Sequence, residues 1–309
     1  MTVTTGTDAA RAADGRPPVR RRRTAHRGAV TFFLLPFGVL FALFFVLPVG
    51  YAMVQSLYVV ERTGLFGPAH EVFGGMAQYE RVFSDGPFWR SIGRVLLFGV
   101  VQVPVMLGIA LLLALLLDSG LARGGRFFRL AFFLPYAVPG IVAAIMWGFL
   151  YSPNLSPFTA VTSNVDLLSA DFVLWAMANV VTWVYVGYNM IIIYSYLMSI
   201  PTEIYEAARL DGAGPARIAL SIKIPLVSPA LVLTTVFSII GTLQLLAEPQ
   251  VFRSFSSAVS STYTPNMTVY STSSIPNFNL AAAFSVVLAL ATFVLSFTFL
   301  KLMQRRGLR

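Results

Sequence analysis

The chain has 309 residues, of which 57% are hydrophobic and 11% charged, and its mean hydropathy is positive. Soluble globular domains carry about 25% charged residues, so this composition excludes a water-soluble protein and indicates an integral membrane protein. The absence of cysteine excludes disulfides, iron–sulfur clusters and thiolate nucleophiles, and the two histidines, His26 and His70, are too far apart to predict a metal site.

Six uncharged apolar segments predict six transmembrane helices. Each is long enough to cross a hydrocarbon core of about 30 Å at a helical rise of about 1.5 Å per residue. In chain order the predicted spans are Val30–Val54, Val95–Leu117, Leu130–Leu150, Phe172–Ile200, Ile224–Ala247 and Leu280–Leu300. The predicted fold class is therefore an all-α integral membrane protein, with its transmembrane domain over residues 30–305.

The basic residues are distributed unevenly between the loops. Seventeen of the 22 lie in the N-terminal segment, in loops 118–129 and 201–223, and in the tail from Lys301. The remaining five are Arg62, Arg81, Arg90, Arg94 and Arg253. Because loops rich in Lys and Arg stay on the cytoplasmic side, both termini and loop 201–223 are predicted to be cytoplasmic, an N-in, C-in topology.

Residues 1–29 are rich in Arg, Ala, Thr and Pro, and they predict a disordered, basic cytoplasmic arm. A signal peptide also places basic residues before an apolar run, but this run of about 25 residues exceeds the 7–15 residues of a signal core. An organelle transit peptide is disfavoured by Asp8 and Asp14. The apolar run is therefore predicted to be an uncleaved first span.

Loop 201–225, between spans four and five, is the most polar segment within the apolar part of the chain. Pro201 suits the first turn of a helix, and Gly212 suits the residue that ends it with a positive φ. The residues Ala213-Gly214-Pro215 predict a turn and the start of a second short helix that ends near Lys223. The pattern predicts a helix–turn–helix on the cytoplasmic face, although an amphipathic surface connector would have the same periodicity.

The same loop carries a spaced motif. Its residues are Glu206-Ala207-Ala208, Gly212, Ile222 and Ile224-Pro225, with three, nine and one residues between them. This pattern resembles the EAA loop of permease subunits in bacterial ATP-binding-cassette (ABC) importers, with Ile224 where the family usually has Leu.

Two further motifs are similar to the sugar-importer branch of that family, whose best-known member imports maltose. One is LPYAVP at residues 134–139, at the start of span three, and the other is QYERVF at 78–83 followed by Phe88-Trp89. The resemblance covers residues 30–305. It implies a permease subunit that imports a sugar, of di- or oligosaccharide size, into a bacterial cell across its plasma (inner) membrane.

By this resemblance, the EAA loop is a coupling helix that docks on a separate cytoplasmic ATPase. The residues assigned to this contact are Glu206, Ala207, Ala208, Arg209, Asp211, Gly212, Ala213 and Gly214. The implied partners are a second, homologous permease subunit, two ATP-binding-cassette ATPase subunits and an extracytoplasmic sugar-binding protein. ATP and magnesium would bind the ATPase subunits, and no cofactor is expected in this chain.

Spans four and five contain the residues expected to line the substrate pathway. A sugar needs aromatic faces and hydrogen-bonding groups, and polar side chains inside spans usually face the bundle interior. The candidates are Trp183, Tyr185, Tyr188 and Asn189 in span four, and Gln244 and Glu248 in span five. Trp183 and Tyr188 match a Trp-x4-Tyr arrangement of the maltose-type subunit, whereas Val181 and Tyr185 depart from it. Glu248 either lines the pathway or is a solvated interface residue.

Other function classes fit the sequence less well. A self-contained secondary transporter of a small polar solute would favour paired ionisable residues within the spans and internal repeats, and neither is evident. The sequence contains no catalytic set, metal-ligand spacing or phosphate-binding glycine loop, so the chain is not expected to be an enzyme. A simple membrane anchor would not explain the EAA spacing.

Overall fold

The computed structural model of the protein describes residues 25–62, 68–119, 124–153, 155–162, 164–274 and 277–305. Its helices are α1 (Ala25–Phe41), α2 (Leu47–Gln55), α3 (Ala77–Ser84), α4 (Gly86–Asp118), α5 (Gly125–Phe133), α6 (Gly140–Tyr151), α7 (Thr159–Thr162), α8 (Val173–Leu197), α9 (Thr202–Leu210), α10 (Pro215–Ile218), α11 (Ile224–Leu226), α12 (Ser228–Leu243), α13 (Ala247–Phe252), α14 (Pro265–Ser274) and α15 (Phe278–Arg305). The strands are β1 (Tyr58–Arg62) and β2 (Ala69–Phe73). The chain divides into two compact units, Met1–Tyr51 and Ala52–Arg309.

The first predicted span is confirmed as helix over Thr31–Gln55. A π-helical turn, Ala42–Val46, joins α1 to α2 within it. Its large apolar side chains are exposed, as expected for a helix that lipid surrounds. Because α1 begins at Ala25, the last five residues of the predicted disordered arm are helical. Residues 1–24 of that arm lie outside the described residues.

Five helices of the described residues are long and apolar enough to cross a membrane, and six if one bent pair counts as a single span. The prediction of six spans is confirmed in this sense. The second span is longer than predicted, because α4 begins nine residues before Val95. The side chain of Asp85 caps α4 by accepting a hydrogen bond from the N–H of Phe88 at 2.8 Å. Arg94, whose charge marked the predicted boundary, donates to the carbonyl of Tyr263 at 2.7 Å.

The third span is bent where the sequence predicted one helix over Leu130–Leu150. The segments Gly125–Ala137 and Gly140–Tyr151 meet at 95°. Val138 is extended at the bend, with φ −79° and ψ 126°, because the residue before a proline is driven out of the helical region. Pro135 and Pro139 also lack the N–H that would continue the backbone ladder.

Two strands form an antiparallel hairpin in the segment between the first two spans. Tyr58 pairs with Phe73, and Arg62 pairs with Ala69. The all-α prediction omitted this hairpin, although the protein is otherwise mostly helical. Aromatic and β-branched residues at Tyr58-Val59-Val60 favour a strand. Hydropathy identifies only the spans, so it does not distinguish a strand from a loop in the segments between them.

Helix α8 lies at the centre of the packed bundle. Its buried Met177, Val180 and Val184 share one apolar cluster with Ala143 of α6 and Phe252 of α13. Further along α8, a Cβ atom at Gly187 would lie 1.7 Å from the carbonyl oxygen of Phe132. Only glycine lets α5 and α8 approach this closely, so this position sets the geometry of the bundle.

Candidate functional site

The bundle contains an open cavity of about 640 Å³. It lies between α4, α8, the first two residues of α6 and the region around α12 and α13, with Tyr270 of α14 also in its lining. Its lining includes Phe98, Gln102, Met106, Gly140, Tyr185, Tyr188, Asn189, Ser238, Thr242, Gln244, Glu248 and Gln250. Five of the six residues predicted for the substrate pathway therefore lie around one cavity.

Helix α8 contributes two tyrosines and an amide to this cavity. Tyr185, Tyr188 and Asn189 are three and four residues apart, which places them on one face of the helix. The ring of Tyr136 stacks on that of Tyr188 with 4.6 Å between centroids, and it meets Tyr185 edge-on at 5.8 Å. Asn189 donates to the carbonyl of Tyr185 at 2.9 Å. These contacts hold the aromatic faces in place.

Trp183, the sixth predicted residue, does not line the cavity. Two residues before Tyr185, it is rotated by about 200° around the helix axis. Its ring lies 5.9 Å from that of Trp147, edge to face, and it packs against the buried cluster of α8. The structure corrects its placement on the pathway face. Trp147 packs in the same cluster.

Helix α4 adds a residue that the sequence reading missed. Gln102 is buried, and its Nε2 donates to Oγ1 of Thr182 on α8 at 3.2 Å. The sequence feature that could have identified Gln102 is its amide inside the apolar second span, because polar side chains in spans usually face the bundle interior or a cavity. Its contact with Thr182 also ties α4 to α8 beside the tyrosines.

The fifth span is broken, which corrects the predicted helix Ile224–Ala247. Helix α12 ends at Leu243, and α13 begins at Ala247. Backbone groups freed by such a break need new partners within a membrane protein. The carbonyl of Gln244 accepts from Nδ2 of Asn266, and that of Leu245 accepts from Oγ1 of Thr264, both at 2.9 Å. The break is thereby stabilised, and it turns Gln244 and Glu248 towards the cavity.

One acidic side chain faces the cavity. Glu248 is in the first turn of α13 and is 7% exposed. Gly140 lies against it, since a Cβ there would be 3.3 Å from Oε1 of Glu248. None of the described residues around the cavity is Lys or Arg, and the described residues contain no group of three metal-ligating side chains. The arrangement suits a hydroxyl-rich, uncharged ligand better than an anion.

Loop 201–225 forms the predicted helix–turn–helix. Helix α9 ends at Leu210, and Gly212 follows with φ 81°. The N–H of Gly212 donates to the carbonyl of Arg209 at 3.0 Å, and that of Ala213 donates to Ala208 at 2.9 Å. These two bonds form a Schellman motif, which confirms Gly212 as the helix stop. Helix α10 and a π-helical turn, Ala219–Lys223, make the second helix.

The surface of this loop is open to solvent. Among the residues assigned to ATPase contact, Glu206, Ala207, Arg209, Asp211, Gly212 and Gly214 are exposed, and Ala208 and Ala213 are half-buried. Two apolar side chains are also uncovered, with Leu210 89% and Leu220 66% exposed. Apolar groups outside the spans cannot be covered by lipid tails, so this surface fits a docking partner.

Comparisons with known proteins agree with these features. A family model described as the inner membrane component of binding-protein-dependent transport systems matches residues 106–309. LacF, the lactose transport system permease protein of Rhizobium radiobacter, is 31% identical over 277 residues, which cover 86% of this chain and 90% of LacF. NgcF, the diacetylchitobiose uptake system permease protein of Streptomyces coelicolor, is 29% identical over 304 residues, which cover 92% and 84% of the two chains.

A solved structure has the same fold. It is a chain of a bacterial ABC transporter involved in the import of the acidic polysaccharide alginate. The TM-score is 0.72, with 17% sequence identity, over 91% of this chain and 96% of that chain. At this identity the likeness concerns the fold alone.

Proposed function

Because the chain belongs to the family of inner membrane components of binding-protein-dependent transport systems, we propose that it is the permease subunit of an ATP-driven importer that moves a di- or oligosaccharide into the cell. It is a multi-pass protein of the cell membrane and a transport subunit. The observation that carries the sugar assignment is the cavity, which is lined by the tyrosines of α8 and by the amides of Gln102, Asn189 and Gln244.

The cavity has the chemistry that a sugar requires. Aromatic faces pack against the C–H surfaces of a sugar ring, while amides and hydroxyls bond its hydroxyl groups. Tyr185 and Tyr188 supply the first kind of surface, and Gln102, Asn189 and Gln244 supply the second. A volume of about 640 Å³ lies within the range of about 300–1,000 Å³ typical of small-molecule sites. The disaccharides in the names of LacF and NgcF support the same size class.

Loop 201–225 is proposed to couple this chain to its ATPase subunits. Glu206 would make a polar contact, Ala207 and Ala208 would pack closely, and Gly212 would set the angle between the two helices. The exposed Leu210 supports this role, because a partner surface would remove it from water.

The full importer is proposed to contain a second, homologous permease, two ATPase subunits that bind ATP and magnesium, and an extracytoplasmic sugar-binding protein. The family description supports the binding protein. A bacterial alginate ABC transporter with a chain of the same fold has been solved in complex with an alginate pentasaccharide-bound periplasmic protein, and this supports the proposed arrangement.

Affinity purification of the tagged chain from its native membranes tests this proposal. We expect peptide identification to find an ATPase subunit and a second permease in the purified complex. In proteoliposomes, the complex should take up labelled lactose or diacetylchitobiose only when ATP is supplied on the ATPase side. Uptake driven by an ion gradient without ATP, or a complex without an ATPase subunit, would instead support a secondary transporter and overturn the proposal.

A further inference from the structure

Three elements meet at one end of the bundle around Lys223. Its Nζ donates to Oδ2 of Asp118, the last residue of α4, and lies 4.8 Å from the ring centroid of Tyr205 on α9. The side chains of Lys223 and Asp118 are 14% and 11% exposed. These three residues form a latch that joins loop 201–225 to α4, across 105 residues of sequence between Asp118 and Lys223.

Asp118, at the C-terminus of α4, does not stabilise its own helix. A carboxylate at a helix C-terminus opposes the helix dipole, and the last turn of α4 contains no basic residue to offset it. A partly buried ion pair contributes little net stability, although removal of one partner leaves the other uncompensated. The ion pair therefore fits a role in fixing the position of loop 201–225 relative to α4 better than a role in stabilising the fold.

The backbone around Lys223 is also unusual. Lys223 ends the π-helical turn Ala219–Lys223, and such turns insert an extra residue that changes the direction of the following side chains. The hydroxyl oxygen of Tyr205 is buried without a hydrogen-bond partner among the described residues. Burial and, after it, the negative charge of Asp118 raise the pKa of this hydroxyl, which stays neutral. Tyr205 thus acts through its ring, as the surface on which the Lys223 ammonium rests.

The latch connects the two functional regions described above. Helix α4 lines the cavity through Phe98, Gln102 and Met106, and its far end is held by the latch. Tyr205 is adjacent in sequence to Glu206, the proposed contact to the ATPase.

We infer that Asp118, Lys223 and Tyr205 are positioning residues that transmit movement of the coupling loop to α4 and hence to the cavity. This inference rests on the proposed coupling role of the loop. It predicts that the interaction between the charges of Asp118 and Lys223, rather than either residue alone, couples ATP hydrolysis to transport.

The first test compares variants in the intact, reconstituted complex. Asp118→Asn and Lys223→Met should each lower labelled lactose or diacetylchitobiose uptake per ATP hydrolysed by about fivefold or more, the usual lower range of coupling between sites. The exchanged pair, Asp118→Lys with Lys223→Asp, should recover most of this ratio. Lys301→Met, which removes an exposed charge at the end of α15, is the matched control and should leave the ratio unchanged.

A second measurement does not depend on the identity of the sugar. The natural chain has no cysteine, so a nitroxide attached to Leu116→Cys, an exposed site near the end of α4, reports on that helix alone when the purified chain is labelled before the partner subunits are added. We expect ATP binding to change its spectrum in the otherwise natural complex and in Tyr205→Phe. The change should be lost in Lys223→Met and restored by the exchanged pair.

The outcomes separate the two proposals. If Lys223→Met retains both the nucleotide-dependent spectrum and the uptake ratio while ATPase subunits remain bound, the latch does not transmit movement. If no ATPase subunit binds the natural chain, the coupling role itself is wrong. A fall in the ratio that the exchanged pair does not reverse would show that the two residues act separately, which also overturns the latch.

Discussion

Polar side chains are buried around the cavity, whereas apolar side chains are exposed on loop 201–225. Around the cavity, Nε2 of Gln102 donates to Thr182 and the carbonyl of Leu245 accepts from Thr264, so these two polar groups have partners within the chain. On the loop, Leu210 is 89% exposed and has no lipid to cover it. The contrast agrees with the two proposed roles: the cavity has internal polar contacts, whereas the exposed apolar side chains of the loop are available to a partner.

The two regions should therefore respond differently to substitution. Changes around the cavity should alter the folding of the chain or its handling of sugar. Changes on the loop should leave folding intact and alter the binding or action of the ATPase.

Gly187→Ala should have the largest effect, because it acts where the backbones of α5 and α8 approach each other closely. The new methyl group would lie 1.7 Å from the carbonyl oxygen of Phe132, and backbone atoms cannot move aside as a flexible side chain can. We expect a loss of about 3 kcal/mol in stability, the upper end of the usual cost of overpacking, measured as a lower melting temperature of the purified chain in detergent. Gly108→Ala on α4 is the control, since nothing lies within 4 Å of its new Cβ. Equal stability of the two variants would contradict this account of α5–α8 packing.

Gly212→Pro should uncouple the loop while the spans still insert. Proline is fixed near φ −65°, far from the φ of 81° at this position, and it lacks the N–H that bonds Arg209. The strain of about 1–3 kcal/mol should misdirect the second helix. We expect normal membrane yield but less ATPase subunit in the purified complex and little uptake. Gly212→Asn keeps the N–H and tolerates positive φ, so it should retain most transport; full transport by the proline variant would reduce the loop to a connector.

Tyr188→Ala should weaken sugar handling without affecting assembly. The variant removes the ring that stacks on Tyr136 and faces the cavity. We expect about 1–3 kcal/mol less interaction with substrate, seen as a higher half-saturating sugar concentration for uptake. Tyr196→Ala, on an exposed part of the same helix, serves as the control. Identical uptake curves for the two variants would remove Tyr188 from the pathway.

Leu210→Ser should have the smallest effect and the most selective one. If a partner covers this side chain, its loss should weaken ATPase binding by about 1–2 kcal/mol, with no change in the melting temperature of the free chain. Leu112→Ser removes a leucine that is 56% exposed on α4, where lipid is expected to cover it, and should leave ATPase binding unchanged. Titration of the purified ATPase subunit onto the permease measures both. Equal affinities would show that Leu210 is not at the interface.

The sequence by itself determined the features that depend on local chemistry. Hydropathy located the spans, since a continuous apolar run is the requirement for crossing a bilayer. Glycine at position 212 and proline at 215 predicted the stop and restart of the loop helices, because these residues control φ within one or two peptide units. The polar residues of α8 were found from their composition, and Tyr185, Tyr188 and Asn189 do line the cavity.

Only the tertiary structure decided which residues meet across distant parts of the chain. The break between α12 and α13 and the packing of Trp183 on Trp147 depend on neighbours from other parts of the chain. Gln102 joins the cavity because α4 lies against α8, and Asp118 meets Lys223 across 105 residues. Hydropathy and local φ preferences are properties of contiguous segments of the sequence. The contacts between distant segments form only when the helices of the bundle pack together.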